Sequence, residues 1–296
     1  MTNPLLTPST LPYQLPPFAD IKVEHYRPAF DEALALHDAE IAAITDNPAD
    51  PTWENTVVAL ERSGQDLDRV MAVFGNLSGT DVTEDGNLLA YGVATAGSDW
   101  VELRVRDVRT GKDLPDVIKW VKFSGPAWTA DGKGFFYSRY DEPKTGEELS
   151  GANYYQKLYF HQLGTAQSQD ALVYERKDQK EWGFGGFVTD DGRYLVINVS
   201  HGTEQKNLVF YKDLKDPKAQ VVELLPEWNA QYDYIANDGP LFWFNTDLNA
   251  PRGRVVAIDL RKPSPKDWKE VIAQGEDTLS SVSLVNDQFL VNVMKD

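Results

Sequence analysis

The sequence predicts a mainly β chain: a partial β-propeller of four to five blades, preceded by an antiparallel α-helical hairpin. Three observations point there. Near Val82 the hydrophobic period changes from about 3.6 residues to 2. Beyond that point a short motif built around Asp-Gly recurs at intervals of 46 to 60 residues. An apolar run follows each copy, as in all-β repeat units of about 40–50 residues.

The N-terminal lead-in contains Pro4, Pro8, Pro12, Pro16 and Pro17. Repeated proline fixes φ and removes backbone donors, so an extended segment is expected. A first helix follows, with Tyr26, Phe30, Leu34, His37, Ile41 and Ile44 at helical steps. Pro28 sits near its start, where a missing N–H costs little. The run from Thr45 to Pro51 breaks the helix, and Thr52 is the expected N-cap of a second. Its stripe is Trp53, Val57, Leu60, Gly64, Leu67, Met71 and Phe74, ending near Leu77–Gly79. Residues 1–81 are thus expected to form the hairpin and 82–296 the propeller.

The repeat is direct. Val82-Thr83-Glu84-Asp85-Gly86 precedes the apolar run 88–93. Trp128-Thr129-Ala130-Asp131-Gly132 precedes 134–139, and Val188-Thr189-Asp190-Asp191-Gly192 precedes 194–199. Ile235-Ala236-Asn237-Asp238-Gly239 precedes 241–245, and a degenerate copy, Val285-Asn286-Asp287-Gln288, precedes 289–293. Asp-Gly makes a tight turn because glycine tolerates positive φ and Asp bonds locally to the backbone. A second strand follows each of the first four copies, at 103–108, 157–163, 207–214 and 254–260. The run after each turn is expected to be the buried inner strand of its blade; a β-sandwich is the alternative architecture. The last repeat is expected to stop after one strand, at Asp296, leaving the ring unclosed. Open edges invite strand pairing, so self-association through the propeller edges is an expected property.

Net charge is −17, which disfavours nucleic acid and anionic membrane as partners. Residues 1–81 hold 4 basic and 13 acidic groups (−9), and 82–296 hold 25 and 33 (−8), so the two parts differ in character. The absence of cysteine excludes disulfides and thiolate chemistry. No signal-peptide pattern or long apolar stretch is present, and a cytoplasmic location is expected.

No catalytic motif is complete. None of the 13 serines lies in Gly-x-Ser-x-Gly, and Ser98 reads as part of a hairpin turn. The histidines, His25, His37, His161 and His201, are too far apart for His-Glu-x-x-His. No metal or cofactor is expected. His37 reads as a partly buried, hydrogen-bonded residue, His161 as mid-strand and His201 as an exposed loop residue. Gly183-Phe184-Gly185-Gly186 reads as a turn between strands. The carboxylate pairs Asp31-Glu32, Glu147-Glu148 and Asp190-Asp191 read as solvated surface.

Several ordered runs resemble the prolyl oligopeptidase family. They include Leu89-Ala90-Tyr91-Gly92 with Gly97-Ser98-Asp99-Trp100-Val101, and Gly111-Lys112-Asp113-Leu114-Pro115-Asp116-Val117 leading to Trp120-Val121-Lys122-Phe123-Ser124. Others are Phe136-Tyr137-Ser138-Arg139-Tyr140, Gln156-Lys157-Leu158-Tyr159 and Asp191-Gly192-Arg193-Tyr194. The resemblance implies a propeller that filters short peptides for a separate α/β-hydrolase domain carrying a Ser, Asp and His triad. It implies that this stretch is inactive alone and meets short peptides only where that domain is supplied. It also implies three cavity-lining positions: Phe136, Gly183 or Phe184, and Thr203. Ordinary blade core is the alternative for Phe136. Residues 1–81 resemble instead the N-terminus of the zinc-dependent dipeptidyl carboxypeptidase and oligopeptidase A family. That likeness rests on His25-Tyr26-Arg27-Pro28-Ala29-Phe30-Asp31-Glu32, Trp53-Glu54-Asn55-Thr56 and Leu60-Glu61-Arg62-Ser63-Gly64. The whole then reads as a chimera. A protein-binding propeller without a peptidase role, and one part of a longer enzyme, are the competing readings.

Overall fold

The protein was analysed as a computed structural model describing residues 3–18, 20–78, 82–94, 98–144, 146, 153–285 and 288–295. Gly97, Glu147-Glu148, Asn286-Asp287, Asp296 and residues 79–81 of the expected junction lie outside the described residues. Two compact units are present, Met1–Thr80 and Asp81–Asp296.

In the first unit, α1 spans Val23–Thr45. It starts earlier than its apolar stripe suggests, because His25 Nδ1 accepts the Lys22 N–H at 3.0 Å and caps the end. Pro28 therefore lies beyond the first turn, and its missing N–H removes one bond of the helical ladder. The expected second helix is broken. Thr52 does cap it, with Oγ1 accepting from Asn55 N while Asn55 Oδ1 accepts from Thr52 N. A π-helical segment, Trp53–Val58, runs into the short α2, Ala59–Arg62. The chain then stops at Gly64, whose φ of 77° belongs to the left-handed region. It resumes as α3, Gln65–Ser78. Glycine suits this point twice over. Gly64 N donates to Glu40 on α1 at 2.8 Å, and a Cβ there would sit 3.0 Å from the His37 ring. Phe74 near the end of α3 packs edge-on against Tyr26 and Phe30 near the start of α1, so α1 and α3 run antiparallel. Their core is Ala29, Ala33, Val70 and Val73, closed by Leu5 from the proline-rich lead-in. Trp53 is left 73% exposed. His37 Nδ1 is enclosed without the expected hydrogen bond, 3.8 Å from Glu40.

The second unit is a succession of antiparallel sheets. The first holds β1 (Leu88–Ala94), β2 (Val101–Asp107) and β3 (Lys112–Val121). The second holds β4 (Ala127–Trp128), β5 (Gly134–Arg139), β6 (Lys157–Gln162) and β7 (Ala171–Tyr174). One pair, Val121 with Arg139, joins them edge to edge. The third holds β8 (Trp182–Val188), β9 (Tyr194–His201), β10 (Leu208–Asp213) and β11 (Val222–Leu225). The fourth holds β12 (Tyr232–Asp238), β13 (Leu241–Thr246), β14 (Arg254–Asp259) and β15 (Lys269–Ile272). A hairpin of β16 (Thr278–Val285) and β17 (Gln288–Met294) completes the series. One strand, β17, follows the last turn, and β16, which the repeat pattern does not mark, precedes it. Among the described residues no strand pairing joins this hairpin back to β1, so the sheets do not close.

In the second, third and fourth sheets the apolar run after the Asp-Gly turn is an internal strand, second in its sheet, whereas in the first sheet it is the edge strand β1 and after the degenerate copy it is β17 of the two-stranded hairpin. β9 shows why it reads as continuously apolar. Tyr194 and Val196 share a core with Phe242 and Phe244 of the fourth sheet. Leu195 and Ile197 share one with Phe136 and Leu158 of the second. Alternate side chains feed cores on opposite faces, so each position from Tyr194 to Ile197 is buried. Likewise Phe135 and Tyr137 face the first sheet while Phe136 faces the third. The core is therefore a set of slabs between successive sheets.

The turns are built alike. Thr83, Thr129 and Thr189 each donate Oγ1–H to Asp85, Asp131 and Asp191, at 2.6, 2.8 and 2.6 Å. The following glycines, Gly86, Gly132 and Gly192, take φ of 68°, 64° and 64°.

Candidate peptide-facing cleft

A cleft of about 720 Å³ opens where the second and third sheets meet. Phe123 and Tyr140 form its apolar surfaces and Asn153, Asn198, Ser200 and Thr203 its polar ones, while Phe184 borders it but is only 2% exposed, buried in the same slab as Phe136. Glu181 lies on its lining, hydrogen bonded to His201 at 3.1 Å. That bond holds the Glu181 carboxyl below the ordinary glutamate range.

The strand β8 shapes one wall. Its glycines lie within the strand, not in the turn the sequence suggests, because neighbours come too close for side chains. A Cβ on Gly183 would fall 2.8 Å from Ser200 Oγ, and one on Gly186 would fall 3.3 Å from Leu195. Gln156 sets the depth of the wall. It is buried, its Oε1 accepts from Phe184 N at 2.6 Å, and its Nε2 donates to Lys122 O at 2.9 Å. One side chain so ties the first, second and third sheets together at the cleft. Phe123 is 73% exposed and, like Trp120 and Tyr155, holds a positive φ. Of the three only Phe123 lines the cleft, and a positive φ at a non-glycine residue is the kind of backbone strain that gathers at functional surfaces. Behind them Trp100 packs edge-on against Trp120 at 5.8 Å and Tyr140 at 6.1 Å.

The structure brings Gly183, Phe184 and Thr203 together on this lining. Phe136 is elsewhere: 5% exposed, in the slab between the second and third sheets, 5.0 Å from the Phe160 ring. Gln156 and Phe123 carry no motif that marks them in the sequence. Their part follows from which sheets become neighbours.

Among the described residues no histidine is hydrogen bonded to a serine hydroxyl. His25 accepts from Lys22 N, and His37 lies near Glu40. His201 ends β9, rather than lying in a loop, and sits between Glu181 and Glu204. His161 is fully buried between Asp116 and Asp170. The nearby hydroxyl, Tyr137, donates to Asp170 rather than to the imidazole. Among the described residues no cluster could hold a metal ion.

Residues 71–296 match the model of the prolyl oligopeptidase N-terminal β-propeller domain. The chain belongs to the prolyl oligopeptidase family. The sheets are accordingly propeller blades. The prolyl endopeptidase of Elizabethkingia miricola is 36% identical over 221 residues, covering 75% of this chain and 31% of that relative. Prolyl oligopeptidase A of Galerina marginata is 34% identical over 230 residues, with 71% and 31% covered. A prolyl endopeptidase solved in work on inter-domain dynamics superimposes with a TM-score of 0.67 at 35% identity, covering 74% of this chain and 31% of that one. Galerina marginata prolyl oligopeptidase B, bound to a 35-residue hydrolysis and macrocyclization substrate, gives 0.66 at 30% identity, covering 72% and 31%. The chain thus spans about a third of the length of the relatives it matches, within their propeller. Among the described residues no helix is long and apolar enough to cross a membrane.

Proposed function

We propose that this chain is the non-catalytic, peptide-admitting wall of a prolyl-oligopeptidase-type serine peptidase. The observation that carries this is the cleft lined by Phe123, Tyr140, Phe184 and Thr203. Its aromatic faces suit apolar side chains and proline rings, and its amides and hydroxyls suit a peptide backbone. The prolyl oligopeptidase B relative, solved with a long peptide substrate, supports the reading. Phe136 would act from beneath, supporting the lining without touching peptide. Hydrolysis would fall to groups outside this chain. The purified chain is expected to leave a fluorogenic proline-containing peptide uncleaved. With a hydrolase domain of the family supplied, it is expected to bind an uncleavable short proline-containing peptide, with Phe123→Ala and Thr203→Lys each weakening binding about tenfold. Turnover that survives purification, or binding that ignores both substitutions, would overturn the proposal.

A second reading is a protein-binding propeller module, in which the open edge captures a strand. The exposure of Leu290, Val291, Val293 and Met294 on β17 favours it. A cytoplasmic site of action and an origin of residues 1–81 in the zinc oligopeptidase N-terminus are further parts of the proposal. The separate core of Met1–Thr80 supports the chimeric origin. A single reading frame recovered across residues 70–90 from genomic DNA is the check.

A further inference from the structure

We propose that His161, held as an imidazolium between Asp116 and Asp170, is a proton-dependent clamp joining the first two blades. The three residues come from separate elements. Asp116 lies on β3 of the first blade, His161 on β6 of the second, and Asp170 just before β7. His161 Nε2 is 3.0 Å from Asp116 Oδ1, and Nδ1 is 2.7 Å from Asp170 Oδ1. All three side chains are at most 2% exposed.

The geometry dictates the proton count. A neutral imidazole carries a lone pair on one nitrogen. Here that lone pair would face a carboxylate oxygen at hydrogen-bond distance, whichever tautomer formed. Asp116 Oδ1 already accepts the Gly164 N–H at 2.6 Å, and Asp170 Oδ2 accepts the Tyr137 hydroxyl at 2.6 Å. Both ring nitrogens therefore serve as donors.

The groups facing His161 are few. β3 contributes Asp116, and the segment before β7 contributes Asp170. β5 contributes the Phe135 ring at 5.3 Å and Tyr137, near which Arg139 adds positive charge. Burial opposes the charged ring most strongly, but the bonds to Asp170 and Asp116 outweigh it and raise the His161 pKa. A raised folded value means that the clamp is complete below the ordinary histidine range. It is released as pH rises through the folded value. Release affects one joint. Beside it, Gln167 pairs with both the N–H and C=O of Lys119 on β3, at 3.1 and 3.0 Å.

Histidine ¹⁵N NMR on the full chain tests this. At pH 7 both His161 ring nitrogens are expected at protonated positions, with a midpoint above the ordinary value of about 6.5. Asp116→Asn is expected to move that midpoint down. Amide protection at Gly164 and Lys119, corrected for intrinsic exchange, is expected to fall about tenfold more than at Ile197 on β9 as pH passes the midpoint. A neutral ring at pH 7, or protection that changes equally in all blades, would overturn the clamp.

Discussion

The side-chain amide of Asn237 donates a 2.9 Å hydrogen bond to Asp191 Oδ2, joining the turn of the fourth blade to that of the third. The file continues backwards through close contact. A Cβ on Gly192 would lie 2.5 Å from the Ala130 methyl, and one on Gly132 would lie 3.2 Å from Thr83 Cγ2. The recurring motif is therefore both a hairpin turn and the surface by which successive blades touch.

Two glycines separate these roles. Gly192 and Gly86 share the left-handed backbone, but nothing lies within 4 Å of a Cβ on Gly86. Gly86→Ala is expected to destabilise the chain by about 1 kcal/mol, from backbone strain alone. Gly192→Ala adds a steric clash, and about 2–4 kcal/mol is expected. Urea unfolding midpoints distinguish the two, and equal shifts would contradict the contact between turns.

Gln156 and Asn207 hold equivalent places, each just before the third strand of its blade. Asn207 Oδ1 accepts from Tyr232 N at 2.7 Å and its Nδ2 donates to Tyr232 O at 2.9 Å, as Gln156 reaches Phe184 N. Gln156→Met and Asn207→Leu each strand two backbone groups at a blade joint. A loss of about 2–6 kcal/mol is expected for each, at about 1–3 kcal/mol per buried unsatisfied group. The joints are separate, so the double variant is expected to be additive within about 0.5 kcal/mol by chemical denaturation.

The turn carboxylates set an acid limit. Burial pushes Asp191 up, but bonds from Thr189, Arg193 N and Asn237 outweigh it and hold its carboxyl below the ordinary range. The Thr83 hydroxyl, then the Asn87 backbone N–H, hold Asp85 low, and Thr129, then Lys133, hold Asp131 low. A depressed folded value adds stability above the ordinary carboxylate range. That stability is lost as pH falls through the folded value. Thr189→Val is expected to cost about 1–2 kcal/mol at neutral pH. The gap from the parent should narrow as pH falls below the ordinary aspartate range. Unfolding curves at neutral and acid pH check the sign, and a gap that widens in acid would be the wrong one.

The strands β16 and β17 themselves carry no charged side chain, and Leu290 and Val293 are 55% and 51% exposed. Neutral, apolar strand edges template association. Sedimentation is expected to show association that grows with concentration. Leu290→Lys with Val293→Lys is expected to reduce it, and an unchanged profile would place the contact elsewhere.

Much of the second unit was legible in the chain. The Asp-Gly turns and the strands flanking them could be read because a tight turn needs glycine, and because a strand buried on both faces is apolar throughout. In the second, third and fourth blades the first and fourth strands escaped notice, and in the first blade β3 did. β8 contains Gly183, Gly185 and Gly186, so it resembles a loop until Ser200, Leu158 and Leu195 are seen crowding it. The single second helix failed for a similar reason. Gly64 fits an apolar stripe by spacing, yet its backbone is set by the approach of His37 and Glu40 from α1.

The sequence by itself determined where the chain turns, which strands have two buried faces, and that neither a nucleophile elbow nor a paired-histidine zinc motif is present. These are local properties of residue type and spacing. Only the tertiary structure decided that Gly183 and Thr203 share a cleft while the Phe136 and Phe184 rings lie in the slab behind it, and that His161 meets two carboxylates. Asp116 and His161 are 45 residues apart, and Gln156 and Phe184 are 28 apart. Such contacts depend on which blades stack as neighbours, which residue spacing along the chain does not record.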